Sequence, residues 1–248
     1  MKRRALIIGN PGETGAENYC EGVNRDLENY PRFLQTAYGG VWNKHDIEIL
    51  KRPRVQAVRD AIAKVRDADY SLVVFTGHGY HLQPRDSTIL ELKKDEEIDS
   101  AELRRGAAKQ TLVLDCCRKV YRQVTIAERA IFKAMAAPTL HPQHCRYYYN
   151  KQIEECFPGL IVINSCTVGQ TAGDASDKGG WYSYSFIQGA EAWVENNSIN
   201  TDKEYDVMSV VSAHGEACRR VSNLSGGRQD PQIEKPRSEK YFPFCIVA

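Results

Sequence analysis

The amino-acid sequence predicts an α/β fold with about six mostly parallel strands and with helices on both faces of the sheet. Short apolar runs rich in β-branched residues alternate with segments of helical periodicity over the first half of the chain, which is typical of a doubly wound parallel sheet. Two of these runs, residues 72–79 (LVVFTGHG) and 112–119 (LVLDCCRK), end abruptly in small and polar residues. Buried parallel strands show this pattern where they present functional side chains at their carboxyl ends.

Composition and charge narrow the class of protein. Of 248 residues, 42% are hydrophobic and 26% are charged, which is typical of a soluble globular protein with an ample core. We expect a single domain over residues 1–248. The formal net charge of +1 predicts neither a nucleic acid nor a membrane surface as a partner.

The same sequence indicates a cytoplasmic protein. It has no apolar run of about 18 residues that could span a membrane, and its apolar N-terminal run is too short for a signal peptide. Its eight cysteines are too few for a disulfide scaffold at this length. We therefore expect free thiols in a reducing compartment.

The first half of the chain has the clearer elements. Strands are predicted at residues 4–9, 46–50 and 71–75, which are short apolar runs, the first of them ending at an Asn-Pro-Gly turn. Helices are predicted at residues 24–38 and 55–65, where apolar residues recur at helical spacing. The elements therefore alternate between strand and helix.

A polar segment separates the third strand from the fourth. It covers residues 80–97, with a short hairpin expected around residues 88–92. Asp99 or Ser100 can then cap a short helix. The fourth strand is predicted at residues 110–114.

Residues 119–158 break this rhythm, and we expect them to form a long mobile insert. Loops of this length in compact domains are usually functional or mobile. The insert holds one helical pattern, formed by Ile126, Ala130, Ile131 and Met135, and no period after it. The elements predicted beyond it are a strand at 159–164, helices at 183–195 and 205–221, and a final strand at 241–247.

The ends of the third and fourth strands carry a histidine and a pair of cysteines. His78 lies between two glycines, while Asp115, Cys116 and Cys117 follow the fourth strand. A histidine and a cysteine at the same sheet edge can form a pair of base and nucleophile. The glycines leave backbone N–H groups unhindered, as an oxyanion hole requires. The alternative is a tight turn with a satisfied histidine, next to cysteines that simply fill the core.

Three segments, residues 75–79 (FTGHG), 113–117 (VLDCC) and 242–244 (FPF), resemble the caspase-like cysteine peptidases. The metacaspase-like and paracaspase-like prokaryotic members are the most similar, and the resemblance covers nearly the whole chain. It implies a caspase-like three-layer sandwich. The caspase signature itself is met only at Cys117 and Arg118, so a true caspase is disfavoured.

The resemblance implies roles for the residues at the strand ends. His78 would be the general base and acid, Cys117 the nucleophile, and the backbone N–H groups of Gly79 and Cys117 would form the oxyanion hole. Cys116 is the alternative nucleophile, although neighbouring residues in a strand point to opposite faces.

The resemblance also implies a pocket for a basic P1 side chain, formed by Asp115 and Asp26. Asp26 lies in residues 22–26 (GVNRD), where Val23 replaces the cysteine of the metacaspase pattern. Two carboxylates at a pocket floor favour Arg or Lys. The alternatives are an acid placed at a helix N-terminus for Asp26 and a structural role for Asp115.

Three further residues are predicted to contact substrate. Thr76 precedes the Gly-His-Gly segment, and Ser165 opens a loop that borders the cleft in relatives. Trp181 could pack beside the P1 residue, with packing in the core or at a helix start as the alternative.

The sequence predicts no metal and no cofactor. Asp174 and Asp177 resemble the acidic loops that bind calcium in some metacaspases, but calcium takes about 6–8 oxygen ligands, so calcium activation lacks support. His141, His144 and a cysteine beside them match no common zinc spacing.

The sequence therefore predicts a cysteine endopeptidase that cleaves after Arg or Lys in a protein or peptide substrate. The family resemblance extends this to a prokaryotic stress, cell-death or antiviral cascade, with regulation by the insert, a separate regulatory protein or a metal. The basic residues of the insert are candidate self-cleavage points: Arg118, Arg122, Arg129, Lys133, Arg146 and Lys151.

Two other classes of function compete with this prediction. The first is a catalytically inactive relative that binds a partner through the same cleft. The second is a flavodoxin-like module that binds a nucleotide or another effector. Against the second, neither a Gly-x-Gly-x-x-Gly nor a Walker sequence follows the first strand.

Overall fold

The structure is a computed structural model that describes residues 1–119, 140–197 and 203–248. In chain order its strands are β1 (Arg3–Asn10), β2 (Ile47–Lys51), β3 (Tyr70–Gly77), β4 (Gly79–Leu82), β5 (Ser87–Lys93), β6 (Glu96–Asp99), β7 (Lys109–Cys116), β8 (Gly159–Asn164), β9 (Asp174–Ala175), β10 (Gly179–Gly180), β11 (Asp206–Ser209), β12 (Gln232–Glu234) and β13 (Pro243–Val247). Its helices are α1 (Gly22–Gln35), α2 (Val55–Arg66), α3 (Ser100–Leu103), α4 (Pro142–Glu155), α5 (Trp181–Asn196) and α6 (Val210–Ser225).

A six-stranded sheet forms the centre of the described part of the chain. Its strand order is β12-β8-β7-β3-β1-β2. All neighbouring pairs in this sheet are parallel except β12 with β8. The predicted α/β fold with about six mostly parallel strands is confirmed.

The apolar residues of the central strands alternate between two buried clusters. Ile7, Val74 and Val113 belong to one cluster, which also includes residues of α1, α4, α5 and α6. Their chain neighbours Val73 and Leu112 belong to the other cluster, on the side of α2 and α3. Successive strand residues point to opposite faces, so the sheet is the middle of three layers.

The sixth strand of this sheet is not the one that the apolar pattern suggests. The expected strand at residues 241–247 exists as β13, but it pairs antiparallel with β11. The sheet instead gains β12, which is short and polar and pairs with β8. The sequence of β12, Gln-Ile-Glu, is too short and polar to show an apolar pattern. Only its pairing with β8 identifies it as a strand.

The prediction of a helix over residues 205–221 is wrong at its start. Residues 206–209 form β11, and α6 begins only at Val210. Ser209 caps this helix, since its Oγ accepts a hydrogen bond from Ser212 N at 3.1 Å. Pairing with β13 therefore overrides the helical pattern at these positions.

The expectation that the insert has no period after residue 135 is wrong for residues 142–155, which form α4. Cys145, Tyr149 and Ile153 recur at intervals of four and are buried, and the helix packs against β13. A stripe of three such different residues among polar ones hides the helical period. The predicted helical pattern around residues 126–135 and three of the candidate self-cleavage points (Arg122, Arg129 and Lys133) lie outside the described residues.

The polar segment after β3 is a three-stranded antiparallel sheet in the order β4-β5-β6. The hairpin expected near residues 88–92 corresponds to β5, its central strand. Asp99 caps α3 as expected, since its Oδ1 accepts a hydrogen bond from Ala101 N at 2.8 Å. Among the helices of the described ranges, none is long and apolar enough to cross a membrane.

Candidate active site

His78 and Cys117 follow directly after two paired strand ends. In the parallel pair of β3 and β7, the last partners in register are Gly77 and Cys116. Gly77 has a φ of +142°, and a Cβ there would lie 2.4 Å from Asn10 O. Only glycine fits this approach. The chain therefore turns at Gly77 and leaves His78 and Cys117 together at the carboxyl edge of the sheet.

Cys117 is the more accessible of the two adjacent cysteines. Cys116 is 1% exposed and belongs to the core cluster on the α2 side of the sheet. Cys117 is half-buried, and its Sγ lies 3.8 Å from Ala172 O. These positions favour Cys117 over Cys116 as a reactive thiol.

The electrostatic surroundings keep the thiol of Cys117 protonated. Burial raises its pKa, and the nearby carboxylates of Asp115 and Glu91 raise it further. A backbone hydrogen bond from Ala172 and the charge of Lys119 act in the opposite direction. Such a thiol needs a base to become a nucleophile.

One ring nitrogen of His78, Nε2, is available to accept or donate a proton. This atom is buried and has no hydrogen-bond partner within the described ranges. Gly12 covers this nitrogen so closely that a Cβ on Gly12 would lie 3.0 Å from it. The loop after β1 therefore shields the imidazole in this structure.

The predicted oxyanion donor Gly79 opens β4. Glu91 N donates to His78 O at 3.0 Å, and Gly79 is opposite Leu90 in the same antiparallel ladder. Because inter-strand hydrogen bonds alternate along such a ladder, the N–H of Gly79 points away from β5. It is therefore not used by that strand.

The predicted acidic pair does come together. Asp26 is 0% exposed and accepts hydrogen bonds from Thr76 Oγ1 at 2.6 Å and from Gly180 N at 3.1 Å. Asp115 is 4% exposed, and its Oδ2 accepts from Ser183 Oγ at 2.6 Å and Ser183 N at 2.9 Å. Burial raises the pKa of both carboxyl groups, and for Asp26 the charge of Asp115 raises it further.

A third carboxylate, Asp174, lies beside this pair. Its Oδ2 accepts from Gly22 N at 3.2 Å, whereas its buried Oδ1 has no hydrogen-bond partner in the part of the chain that the structure describes. Burial and the charge of Asp115 raise its pKa. Asp177, its partner in the calcium comparison, is exposed. The described residues contain no group of three or more His, Cys, Asp or Glu side chains that could hold a metal ion.

Three predicted substrate contacts are buried in this structure. Thr76 is buried, and its hydroxyl donates to Asp26. Ser165 is buried and donates to Cys116 O at 3.4 Å. Trp181 opens α5 and packs over Gly173, where a Cβ would lie 2.3 Å from the indole. None of these three side chains faces an open cleft in this structure. For Trp181 this agrees with the alternative of packing in the core or at a helix start.

Sequence reasoning missed Ser183, Gly180 and Glu91. Ser183 is the third residue of α5, inside the helix, and nothing local marks it as a partner of Asp115. The Gly-Gly pair ahead of Trp181 was the one signal available, because two successive glycines before a helix indicate close approach of another group.

The fold and the paired strand ends define a caspase-like α/β sandwich, and comparison with known proteins agrees. Residues 2–243 match the family model described as the caspase domain. The chain therefore belongs to the caspase-domain family of cysteine peptidases. The structure is similar to the crystal structure of caspase-1 from Spodoptera frugiperda, with a TM-score of 0.58, 12% identity, and coverage of 94% of this chain and 86% of that chain. At that identity the similarity concerns the fold alone. No curated protein matches the sequence.

Proposed function

We propose that this protein is a cysteine endopeptidase that cleaves after Arg or Lys, with Cys117 as nucleophile and His78 as base and acid. The observation that carries the proposal is the register of β3 and β7. The last pair in this register is Gly77 with Cys116. His78 follows Gly77 directly and Cys117 follows Cys116, so the two members of the dyad leave the sheet side by side. Ligands and catalytic groups gather at the carboxyl ends of parallel strands.

The chemistry follows from the protonation state of the thiol. Because the pKa of Cys117 is raised, His78 takes the thiol proton as the sulfur attacks the scissile carbonyl carbon. The N–H of Gly79, which β5 leaves free, donates to the oxygen that becomes negative. The proton then passes from His78 to the leaving amine as the C–N bond breaks. Water, deprotonated by His78, hydrolyses the thioester and restores the thiol.

The preference for a basic residue is supported by three neighbouring carboxylates, of which two are buried and the third, Asp174, is half-buried. Asp26, Asp115 and Asp174 all have raised pKa values, because each carboxylate is largely removed from water and the charge of Asp115 acts on the other two. A guanidinium or ammonium group among them would lower these pKa values and relieve the repulsion. In this structure Gly180 occupies the space between Asp26 and Asp115, so entry of a P1 side chain requires the β9–β10 segment to move.

The proposal is tested with fluorogenic peptides that carry Arg, Lys or Asp at P1. We expect turnover of the Arg and Lys peptides, loss of that turnover in Cys117→Ala, and retained activity in the matched control Cys116→Ala. Turnover of only the Asp peptide would contradict the pocket. Activity that survives Cys117→Ala would contradict the nucleophile.

A second candidate function is partner binding by a catalytically inactive member of the family. Shielding of His78 by Gly12 and the filled acidic pocket favour it. An active-site electrophile with a basic P1 group separates the two functions, since an inactive protein would leave both Cys116 and Cys117 unmodified.

The cellular context is part of the same proposal. All eight cysteines lie in the described ranges and are free thiols, which supports a reducing compartment such as the cytoplasm. There the peptidase would act in a stress, cell-death or antiviral cascade under a separate regulatory protein. Detection of proteolytic fragments after such a stress, in cells with the wild-type protein and with Cys117→Ala, tests this context.

A further inference from the structure

Glu91 lies directly across from His78 in an antiparallel ladder. The first register pair of β4 and β5 is Gly79 with Leu90. One position before this pair in β4, Glu91 N donates to His78 O at 3.0 Å. Residues that are opposite in this way share a face, and their Cβ atoms are about 5 Å apart. The carboxylate of Glu91 and the imidazole of His78 are therefore neighbours on one face of the small sheet.

Other contacts support this assignment of faces. Tyr80 lies two residues beyond His78, so it shares its face, and Tyr80 Oη donates to Glu97 Oε2 at 2.9 Å. Glu97 is in turn opposite Glu91 in the pairing of β5 with β6. Leu90 and Leu92, on either side of Glu91, are buried in the core cluster beneath the sheet. Glu91 therefore points away from that core, toward the side of His78.

The backbone of Glu91 is fixed from the centre of the fold. Asn10, buried at the end of β1, donates from Nδ2 to Glu91 O at 2.8 Å. Asn10 is also the register partner of Gly77, where β3 ends before His78. One residue of β1 thus links the two positions that place Glu91 and His78.

The charges of these groups influence one another. Burial raises the pKa of Glu91, while the charge of His78 lowers it and that of Glu97 raises it. Glu91 also raises the thiol pKa of Cys117, a group that faces Asp115 and Lys119 as well. The Glu91 carboxylate therefore acts electrostatically on both members of the proposed dyad.

We propose that Glu91 is a positioning residue of the active site, whose carboxylate orients the imidazole of His78 and stabilises its protonated form. The proposal rests on the proposed cysteine peptidase function. It assigns to this chain a third functional group in addition to the Cys-His dyad.

Glu91 is expected to act at the stage of the reaction in which His78 carries the thiol proton. When the sulfur of Cys117 bonds to the substrate carbon, its proton moves to His78, and the imidazole is positive until it gives that proton to the leaving amine. A carboxylate beside the ring stabilises the positively charged imidazole without taking the proton itself. Its effect therefore belongs to kcat more than to KM.

The test compares Glu91→Gln with Glu91→Asp and with Glu97→Gln. Glu97→Gln is the matched control because it removes the same charge from the same face, one strand further from His78. We expect Glu91→Gln to lower kcat about tenfold or more at a nearly unchanged KM. The alkaline limb of its pH profile should move down by about half a unit or more. Glu91→Asp should recover part of kcat.

Two results would overturn the proposal. One is a kcat within twofold of wild type and an unmoved pH profile in Glu91→Gln. The other is an equal loss in Glu97→Gln, which would indicate a general charge effect on the site. A normal thermal unfolding curve of Glu91→Gln is required alongside, since it separates a loss of positioning from a loss of folding.

Alkylation of Cys117 by iodoacetamide gives a readout that needs no turnover, so it distinguishes failure of this proposal from failure of the proposed function. If Glu91 supports a protonated His78 beside the thiolate, Glu91→Gln slows alkylation between pH 6 and 7. If Glu91 is only a negative charge near the thiol, its removal lowers the thiol pKa and speeds alkylation. Faster alkylation in Glu91→Gln would overturn the positioning role whether or not the wild type cleaves peptides.

Discussion

The carboxylates of Asp26 and Asp115 converge on one glycine, Gly180, although they belong to α1 and β7. A Cβ at Gly180 would lie 2.5 Å from Asp115 Oδ2 and 3.2 Å from Asp26 Oδ2. Two acids so close and so deeply buried raise each other's cost of ionisation. The fold keeps them in place with hydrogen bonds from Thr76, Gly180 N and Ser183, and a cation is the ligand that would best stabilise them.

Removal of either carboxylate should reduce cleavage after basic residues. We expect Asp26→Asn and Asp115→Asn each to lower kcat/KM for an Arg peptide about 100-fold, because a charged hydrogen bond to the guanidinium is lost. Asp177→Asn is the matched control, since Asp177 is exposed in the same loop as Asp174. The measurement is kcat/KM with Arg and Lys peptides. Unchanged values in both pocket variants would place P1 recognition elsewhere.

Acidification should stabilise the wild type relative to Asp26→Asn. The pKa of Asp26 is raised in the folded protein, so the folded state holds a proton that the unfolded chain releases near pH 4. This stabilisation is present at low pH and is lost as pH rises through the folded-state pKa. We therefore expect the difference in Tm, wild type minus Asp26→Asn, to increase as pH falls from 8 to 5.

The Tm difference between the two proteins is the informative quantity, since other groups also titrate. Burial lowers the pKa of His214 to about 4, and this group destabilises both proteins equally as the pH falls below about 6.5. Its contribution cancels in the comparison. A Tm difference that is flat between pH 8 and pH 5 would contradict the raised pKa of Asp26.

Gly180→Ala should destabilise the protein by about 2–4 kcal/mol, because the new Cβ would collide with Asp115, whose strand cannot move aside. Gly215→Ala offers a matched control. A Cβ at Gly215, an exposed position inside α6, would meet nothing within 4 Å, so we expect a gain of about 0.5–1 kcal/mol from helix propensity. The free energy of unfolding in urea measures both. Similar stabilities for the two variants would show that the space at Gly180 is not filled as described.

The sheet edge was predictable from sequence because it depends on local patterns. Strands β3 and β7 are apolar runs that end in glycine or polar residues, and parallel pairing brings such ends together without further information. The convergence of Asp26 on Asp115 could not be derived in this way, since it joins residues far apart in the chain. It entered the prediction through the family resemblance.

Other features depend on pairing that the sequence does not encode locally. The opposition of His78 and Glu91 is set by the turn between β4 and β5, which fixes register, and a change of one residue in that turn would put Glu91 on the other face. Strand β12 is defined by its partner β8 and has no apolar pattern. Helix α4 was missed because its buried stripe combines a cysteine, a tyrosine and an isoleucine, which no simple hydrophobic period captures.

The buried face of α4 gives a direct test of whether this part of the insert is structural. Ile153 is 0% exposed and lies in the same core cluster as residues of β13, whereas Phe157, just beyond the helix, is 80% exposed. We expect Ile153→Ala to cost about 2–5 kcal/mol of unfolding free energy through lost burial and a cavity. Phe157→Ala should change it by about 0.5 kcal/mol or less. Equal and small effects in chemical denaturation would mean that residues 142–155 do not pack on β13. Arg146 and Lys151, which lie in α4, would then be more accessible as points of self-cleavage.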